Sequence, residues 1–382
     1  PSSFRVVFDV RESYDTSEEG RVYDVSVKGN SAVIAYHNSD GRDPAHFYCA
    51  IQSDATEIVS TEEWVRRDYR FDRERASPPF ERSVYSAVRF LGTTIACAAS
   101  SDRKAAIREA QDVFKNRSRL KRLRMRGDRE EALRERGDTE VILAYTCALH
   151  AMASMVVSHY EAERNFRMYA GLPWFFQFWI RDEAVSLRGL MAACPKEAAN
   201  IFWHIMETLQ EDGMISDAPD AVFWAFKRAE DFIAERRWSR EEVGRLSTYL
   251  KKTLHGLQLH HTVEDITVHV SNQTWMDSIR RGDAAVEIQA GRLDLYRLNQ
   301  LIADPLLGGM FRSALERQLA EKIRSLFWNG TILADAVNLD NKAPDWIIRP
   351  NIFLAAYLYP KLLTREEWVR CFECALSKLW LP

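Results

Sequence analysis

Thr94-Ile95-Ala96-Cys97-Ala98-Ala99-Ser100-Ser101-Asp102-Arg103-Lys104-Ala105-Ala106-Ile107 is where the chain changes its periodicity. Before it, apolar and polar side chains alternate with period two, as in Phe4–Phe8, Val22–Val27, Ala32–Tyr36, Phe47–Ile51 and Thr94–Ala98. Turn-formers such as Lys28-Gly29-Asn30 and Asn38-Ser39-Asp40-Gly41-Arg42 separate these runs. A strand with one buried face reads this way, so an antiparallel β-sandwich is expected over residues 1–102. From about residue 103 the period is close to 3.6 and stays so to the end, which predicts helix. The expectation is a multidomain β + α chain: sandwich, a basic linker helix over 103–137, and a helical toroid over 138–382.

The helical part divides into segments near 139–159, 181–193, 195–211, 219–236, 239–257, 284–302, 309–327, 349–359 and 364–379. Asp182-Glu183, Pro195-Lys196-Glu197 and Thr364-Arg365-Glu366-Glu367 are recognisable starts, the last with the spacing of a capping box. The basic run Lys115–Arg126 is followed at once by Asp128-Arg129-Glu130-Glu131 and lacks interleaved aromatics, so a solvated helix is expected there rather than a nucleic-acid surface.

Composition narrows the function. The 382 residues carry 52 Lys+Arg against 55 Asp+Glu, a net −3, with 46% hydrophobic residues and 11 Trp. No net field favours nucleic acid or an anionic membrane, no apolar run reaches the ~18 residues of a spanning helix, and an uncharged ligand is expected. Pro1-Ser2-Ser3-Phe4 has no signal-peptide character, which reads as cytoplasmic. Six scattered cysteines fit reduced, buried thiols, and Cys371-Phe372-Glu373-Cys374 lacks the second pair that a zinc site requires. No metal is expected.

Three connections pair aromatics with groups that bond hydroxyls: Pro173-Trp174-Phe175-Phe176-Gln177-Phe178-Trp179-Ile180-Arg181-Asp182, Asn272-Gln273-Thr274-Trp275-Met276-Asp277, and Asp345-Trp346-Ile347-Ile348-Arg349-Pro350-Asn351. Val286-Glu287-Ile288-Gln289 opens a helix between the last two. Indole faces stack on the C–H faces of sugars, and carboxylates, amides and guanidinium groups bond adjacent hydroxyls, so these loops suit a neutral polyhydroxylated ligand. Phe175, Phe176 and Phe178 read as core because they run together. Trp275 and Asp277, flanked by polar Asn272-Gln273 and Arg280-Arg281-Gly282-Asp283, read as ligand-facing.

In this order, and with Asp220-Ala221-Val222-Phe223-Trp224 between them, these motifs resemble the amylo-α-1,6-glucosidase domain of archaeal and bacterial glycogen debranching enzymes. Glu63-Trp64 to Arg75 and Tyr85–Phe90 resemble the β-sandwich domain that precedes it. The resemblance implies an (α/α)6 barrel and inverting, cofactor-free hydrolysis of α-1,6-linked glucose at α-glucan branch points. Asp277 would be the general acid, kept protonated by Trp275 and desolvation. Trp179, Arg181, Asp182, Asp220, Trp275, Glu287, Gln289 and Arg349 would line the glucose subsite. Position alone makes Glu287 a candidate base, whereas the resemblance makes it sugar-binding and places the base in a Trp- and Gly-rich segment expected beyond Pro382. The barrel is therefore expected to be incomplete at its C-terminal end. Three alternatives remain open: a glucan-binding homologue without the base, another (α/α)6 enzyme such as a glucoamylase, trehalase or disaccharide phosphorylase, and, last, nucleic-acid binding through Lys115–Arg126.

Overall fold

The computed structural model describes residues 2–10, 19–39, 46–76, 78–134, 139–158, 166–172, 175–215, 218–235, 237–270, 273–303 and 313–380, without the side chains of residue 2 and residues 121–139. Asp40–Arg42, Pro173, Trp174 and Asn272, which belong to turns and motifs quoted above, lie outside the described residues. The chain divides into two compact units, Pro1–Thr146 and Cys147–Pro382.

The first unit contains β1 (Ser2–Phe8), β2 (Arg21–Lys28), β3 (Ser31–Asn38), β4 (His46–Ser53), β5 (Glu57–Asp68), the short helix α1 (Arg70–Glu74), β6 (Glu81–Gly92), β7 (Ile95–Ser100) and α2 (Arg103–Arg134). The strands form two antiparallel sheets, ordered β1-β6-β5 and β2-β3-β4-β7. Tyr23, Ile34, Tyr36 and Ile51 of one sheet share a buried cluster with Tyr85, Ala87 and Val88 of the other, and the Tyr23 and Tyr85 rings stack at 4.4 Å. The opposite face of the four-stranded sheet, at Val33 and Ala50, is closed by Ala106 and Ala110 of α2. The start of α2 is therefore packed on the sheet, where a linker was expected, because small residues at i and i+4 give it a flat apolar face. Its described side chains from 111 to 120 are almost all exposed, as expected for a basic stretch.

Nine helices follow among the described residues: α3 (Thr139–Met155), α4 (Ile180–Ala193), α5 (Pro195–Glu207), α6 (Ala221–Ala234), α7 (Arg240–His260), α8 (Val286–Ala303), α9 (Ala314–Phe327), α10 (Asn351–Leu358) and α11 (Arg365–Leu379). Two-stranded pairs join β8 (Val156–Ser158) to β9 (Phe166–Met168) and β10 (Thr262–Val263) to β11 (Ile266–Thr267). A three-stranded sheet joins β12 (Ala284–Ala285), β13 (Ala336–Asn338) and β14 (Ala343–Asp345). The capping box at Thr364 and Glu367 forms, a second forms at Ser239 and Glu242, and Pro195 sits in the first turn of α5.

Packing follows a rule of alternation. Helices α4, α6, α8 and α10 are neighbours in a row, α4 against α6, α6 against α8 and α8 against α10. Their consecutive partners α5, α7, α9 and α11 bury one stripe each, whereas α6 and the first ten residues of α8 are buried almost all round. Contact with α6, α7, α9 and α10 makes α8 the hub of this unit. At Gly291 a Cβ would come within 2.5 Å of the Phe223 ring, which shows how closely α8 approaches α6. Cys371 lies in the same core, in agreement with a packed thiol. No helix among the described residues is long and apolar enough to cross a membrane.

Candidate active site

Alternate helices in one row bring their N-terminal ends together with the connections that lead into them. Trp179 precedes the first turn of α4, and Arg181 and Asp182 lie within it. Asp220 is the N-cap residue of α6, Glu287 and Gln289 open α8, and Asn351 opens α10. Unpaired N–H groups give these ends partial positive charge, which favours carboxylates there.

Asp220 and Arg181 clamp the 273–277 connection from one side. Arg181 donates from Nε to Asp220 Oδ1 at 2.8 Å and from Nη2 to the Gln273 carbonyl at 3.2 Å. Asp220 Oδ2 accepts the Trp275 backbone N–H at 2.9 Å. Burial pushes the Asp220 carboxyl up to about 6, against the opposing pull of Arg181. Asp182 is also raised, again chiefly by burial.

A buried ionic cluster clamps it from the other side. Arg281 is 6% exposed and donates to both oxygens of Glu287 at 2.5 and 2.8 Å, to Thr274 Oγ1 at 3.2 Å, and from Nε to Asp335 Oδ2 at 2.7 Å. Asp335 also accepts from Arg349 Nη1 at 2.8 Å and Asn351 Nδ2 at 2.6 Å. Asn351 Oδ1 in turn accepts the indole N–H of Trp275 at 2.7 Å. The β12-β13-β14 sheet fixes Asp335 beside α8, since its carbonyl accepts the Val286 N–H and its own N–H donates to the Asp345 carbonyl.

Between the clamps the working surface stays open. Trp179 is 43% exposed and Trp275 38%, and the Asp277 side chain is 60% exposed, 3.9 Å from Arg181 Nη1. Indole faces beside a carboxyl offer stacking and hydroxyl bonding in one place.

The structure brings Arg181, Asp182, Asp220, Trp275 and Asp277 together, with Trp179 next to them in the chain. It differs from the sequence reading at several residues. Glu287 is buried with both oxygens held by Arg281, so it is neither a free base nor a free sugar ligand. Gln289 is wholly buried and spends its amide on the Thr267 backbone, accepting its N–H and donating to its carbonyl. Arg349 is taken up by Asp335 and Asp345. Asp277 is solvated rather than desolvated. Phe175 and Phe176, expected in the core, are 38% and 52% exposed, and Phe176 and Phe178 pack on Tyr169 in the connection before α4.

Arg281, Asp335 and Asn351 belong to the buried network and were not singled out by the sequence reading. Asp335 did carry a signal: a lone acid within the apolar run Ile332–Val337 needs a buried partner. Arg281, beside Arg280, carried none.

Among the described residues no group of three or more His, Cys, Asp or Glu side chains is arranged to hold a metal ion. Residues 150–382 match the amylo-alpha-1,6-glucosidase family, a span containing every residue of both clamps. No curated protein matches the chain.

Proposed function

Because the chain belongs to the amylo-alpha-1,6-glucosidase family, and so to glycoside hydrolase-type proteins acting on glucans, we propose that it hydrolyses α-1,6-linked glucose at α-glucan branch points with inversion. One observation carries this reading: a five-residue connection bearing an exposed indole and an exposed carboxyl is clamped from two sides by buried ionic groups. In this reading Trp179 and Trp275 hold the sugar faces, Arg181 and Asp182 bond its hydroxyls, and Asp277 protonates the leaving oxygen. Inversion requires a second carboxylate about 6.5–9.5 Å from the acid, activating water on the opposite face of the sugar. Asp220 and Glu287 act through the connection, Arg349 through Asp335 and Gln289 through the Thr267 backbone, and none of them on the substrate. The paired sheets of the first unit are then the layers of a β-sandwich, and the inner row of α4, α6, α8 and α10 with its outer partners is part of an (α/α)6 barrel. Six free cysteines support a reducing, cytoplasmic setting.

The test is the release of glucose from a branched dextrin, followed by the anomeric proton signals. β-Glucose is expected first, and Asp277→Asn should slow release by roughly 10²–10⁴-fold while sparing glucan binding. α-Glucosyl fluoride, whose leaving group needs no proton, should lose far less. Unchanged dextrin turnover in the variant would remove Asp277 from the acid role, and α-glucose as first product would overturn inversion. The exposure of the Asp277 carboxyl supports a second reading, a glucan-binding protein without hydrolysis. That reading predicts binding with no glucose released.

A further inference from the structure

Beside the 273–277 connection, residues between Gln210 and Ile215, Pro219 before α6, His260 and His261 at the end of α7, and Val268–Val270 line an open cavity of about 560 Å³. That size lies within the usual range of small-molecule sites. Gln210, Asp212, His260, His261, His269 and Gln273 supply its polar wall, and no Lys or Arg is among its described lining residues. Burial lowers the His269 pKa against the opposing effect of its Nδ1 bond to the Val270 carbonyl, which disfavours a positive charge there. With the Asp212 carboxylate among hydrogen-bonding amides and imidazoles, the described wall favours a neutral ligand rich in hydroxyls.

Asp212 and His261 form a fixed pair in this wall. Asp212 Oδ1 accepts the Met214 N–H at 3.0 Å, and Asp212 Oδ2 lies 2.8 Å from His261 Nε2. Because these contacts favour the charged carboxylate over its burial cost, the Asp212 pKa is lowered. A carboxylate can only accept, so Nε2 carries the hydrogen and Nδ1 is left for a ligand. A hydroxyl both donates and accepts, so it can bond Nδ1 whether or not that nitrogen is protonated. The pair is held rigidly from behind, since Gly256 of α7 lies so close that a Cβ there would come within 2.3 Å of the Asp212 backbone. Side-chain exposures of 34% for Asp212 and 26% for His261 leave both within reach of a ligand.

The cavity shares its wall with the candidate active site. Gln273 lines it while its carbonyl accepts from Arg181, and Pro219 lines it immediately before Asp220. We propose that this cavity is a second sugar subsite, in which the Asp212–His261 pair bonds adjacent hydroxyls of a glucan already held at the Trp275–Asp277 connection. This rests on the glucan reading above.

The experiment is calorimetric titration with linear α-1,4-glucans of increasing length. Wild type should show one step of about tenfold tighter binding at the length that reaches the cavity. His261→Phe should abolish the step and leave the affinity for shorter glucans unchanged. His261→Gln, which keeps a donor for Asp212 and an acceptor for the ligand, should restore most of it. Asp212→Asn, which keeps the acceptor for Met214 N–H, gives an independent loss of the step if the phenylalanine variant fails to fold. A step that persists in both His261→Phe and Asp212→Asn overturns the subsite, as does its absence in wild type that still binds short glucans. In both cases the glucan reading stands. No binding of any α-glucan by wild type overturns both.

Discussion

Replacing Asp335 by asparagine tests the buried clamp directly. Asp335 is 1% exposed and receives Arg281 Nε and Nη2, Arg349 Nη1 and Asn351 Nδ2 at 2.7, 3.2, 2.8 and 2.6 Å. An amide of the same shape has one oxygen, and its nitrogen must face either Arg281 Nε with Arg349 or Asn351 with Arg281 Nη2. Two donors then meet a donor, and each unsatisfied buried polar group costs about 1–3 kcal/mol. Breaking a buried pair commonly costs about 3–5 kcal/mol because a charge is left alone. Here neither guanidinium is left alone, since Arg281 keeps Glu287 and Arg349 keeps Asp345. The lower end is therefore expected, about 3 kcal/mol, or roughly 6–12 °C in Tm for a unit of this size. Urea unfolding followed by tryptophan fluorescence measures it, with the slope checked against wild type so that the change in midpoint is a change in stability. Asp345→Asn is the control, because Asp345 is 29% exposed and should cost under about 1 kcal/mol. A loss below about 1 kcal/mol for Asp335→Asn would refute the claim that the clamp is a buried, fully engaged network. A full loss with unaltered glucan affinity would show that the clamp does not position Trp275.

Two further outcomes follow from the geometry. Asp220 has its pKa raised from 3.8 to about 6 by burial, so its stabilising contribution is present below the unfolded value and lost as pH rises through 6. Wild type should therefore lose about 3 kcal/mol relative to Asp220→Asn between about pH 4 and pH 6, and a flat difference between the two unfolding curves would count against the burial argument. Gly256→Ala should lower stability by more than about 2 kcal/mol, because the new Cβ meets backbone that cannot rotate away. The same variant should weaken binding of long glucans by displacing Asp212; differential scanning calorimetry and the glucan titration read the two effects separately.

How much of this was legible in the sequence depended on the distance over which each feature is encoded. Helix starts are local, and the capping box at Thr364 and the proline at 195 fall where the sequence placed them. β6 was not among the strands read from the sequence, because Val84–Val88 is buried without alternation and period two disappears when both faces are covered. The glutamate and glutamine that open α8 were recognisable as polar residues near a helix start. Which way that turn faces is decided by packing of α8 against four other helices, and it turns Glu287 towards Arg281 and Gln289 towards Thr267. Partners 54 residues apart, such as Arg281 and Asp335, leave no periodic trace at all. The site nonetheless had one common sign: Arg181, Asp220, Glu287 and Asn351 each stand at the entry to a helix in a chain whose alternate helices α4, α6, α8 and α10 are neighbours. Once alternate helices lie side by side, a shared position along the helix becomes a shared place in space. Four unremarkable helix entries then converge on the Trp275–Asp277 connection, where the proposed function puts the sugar.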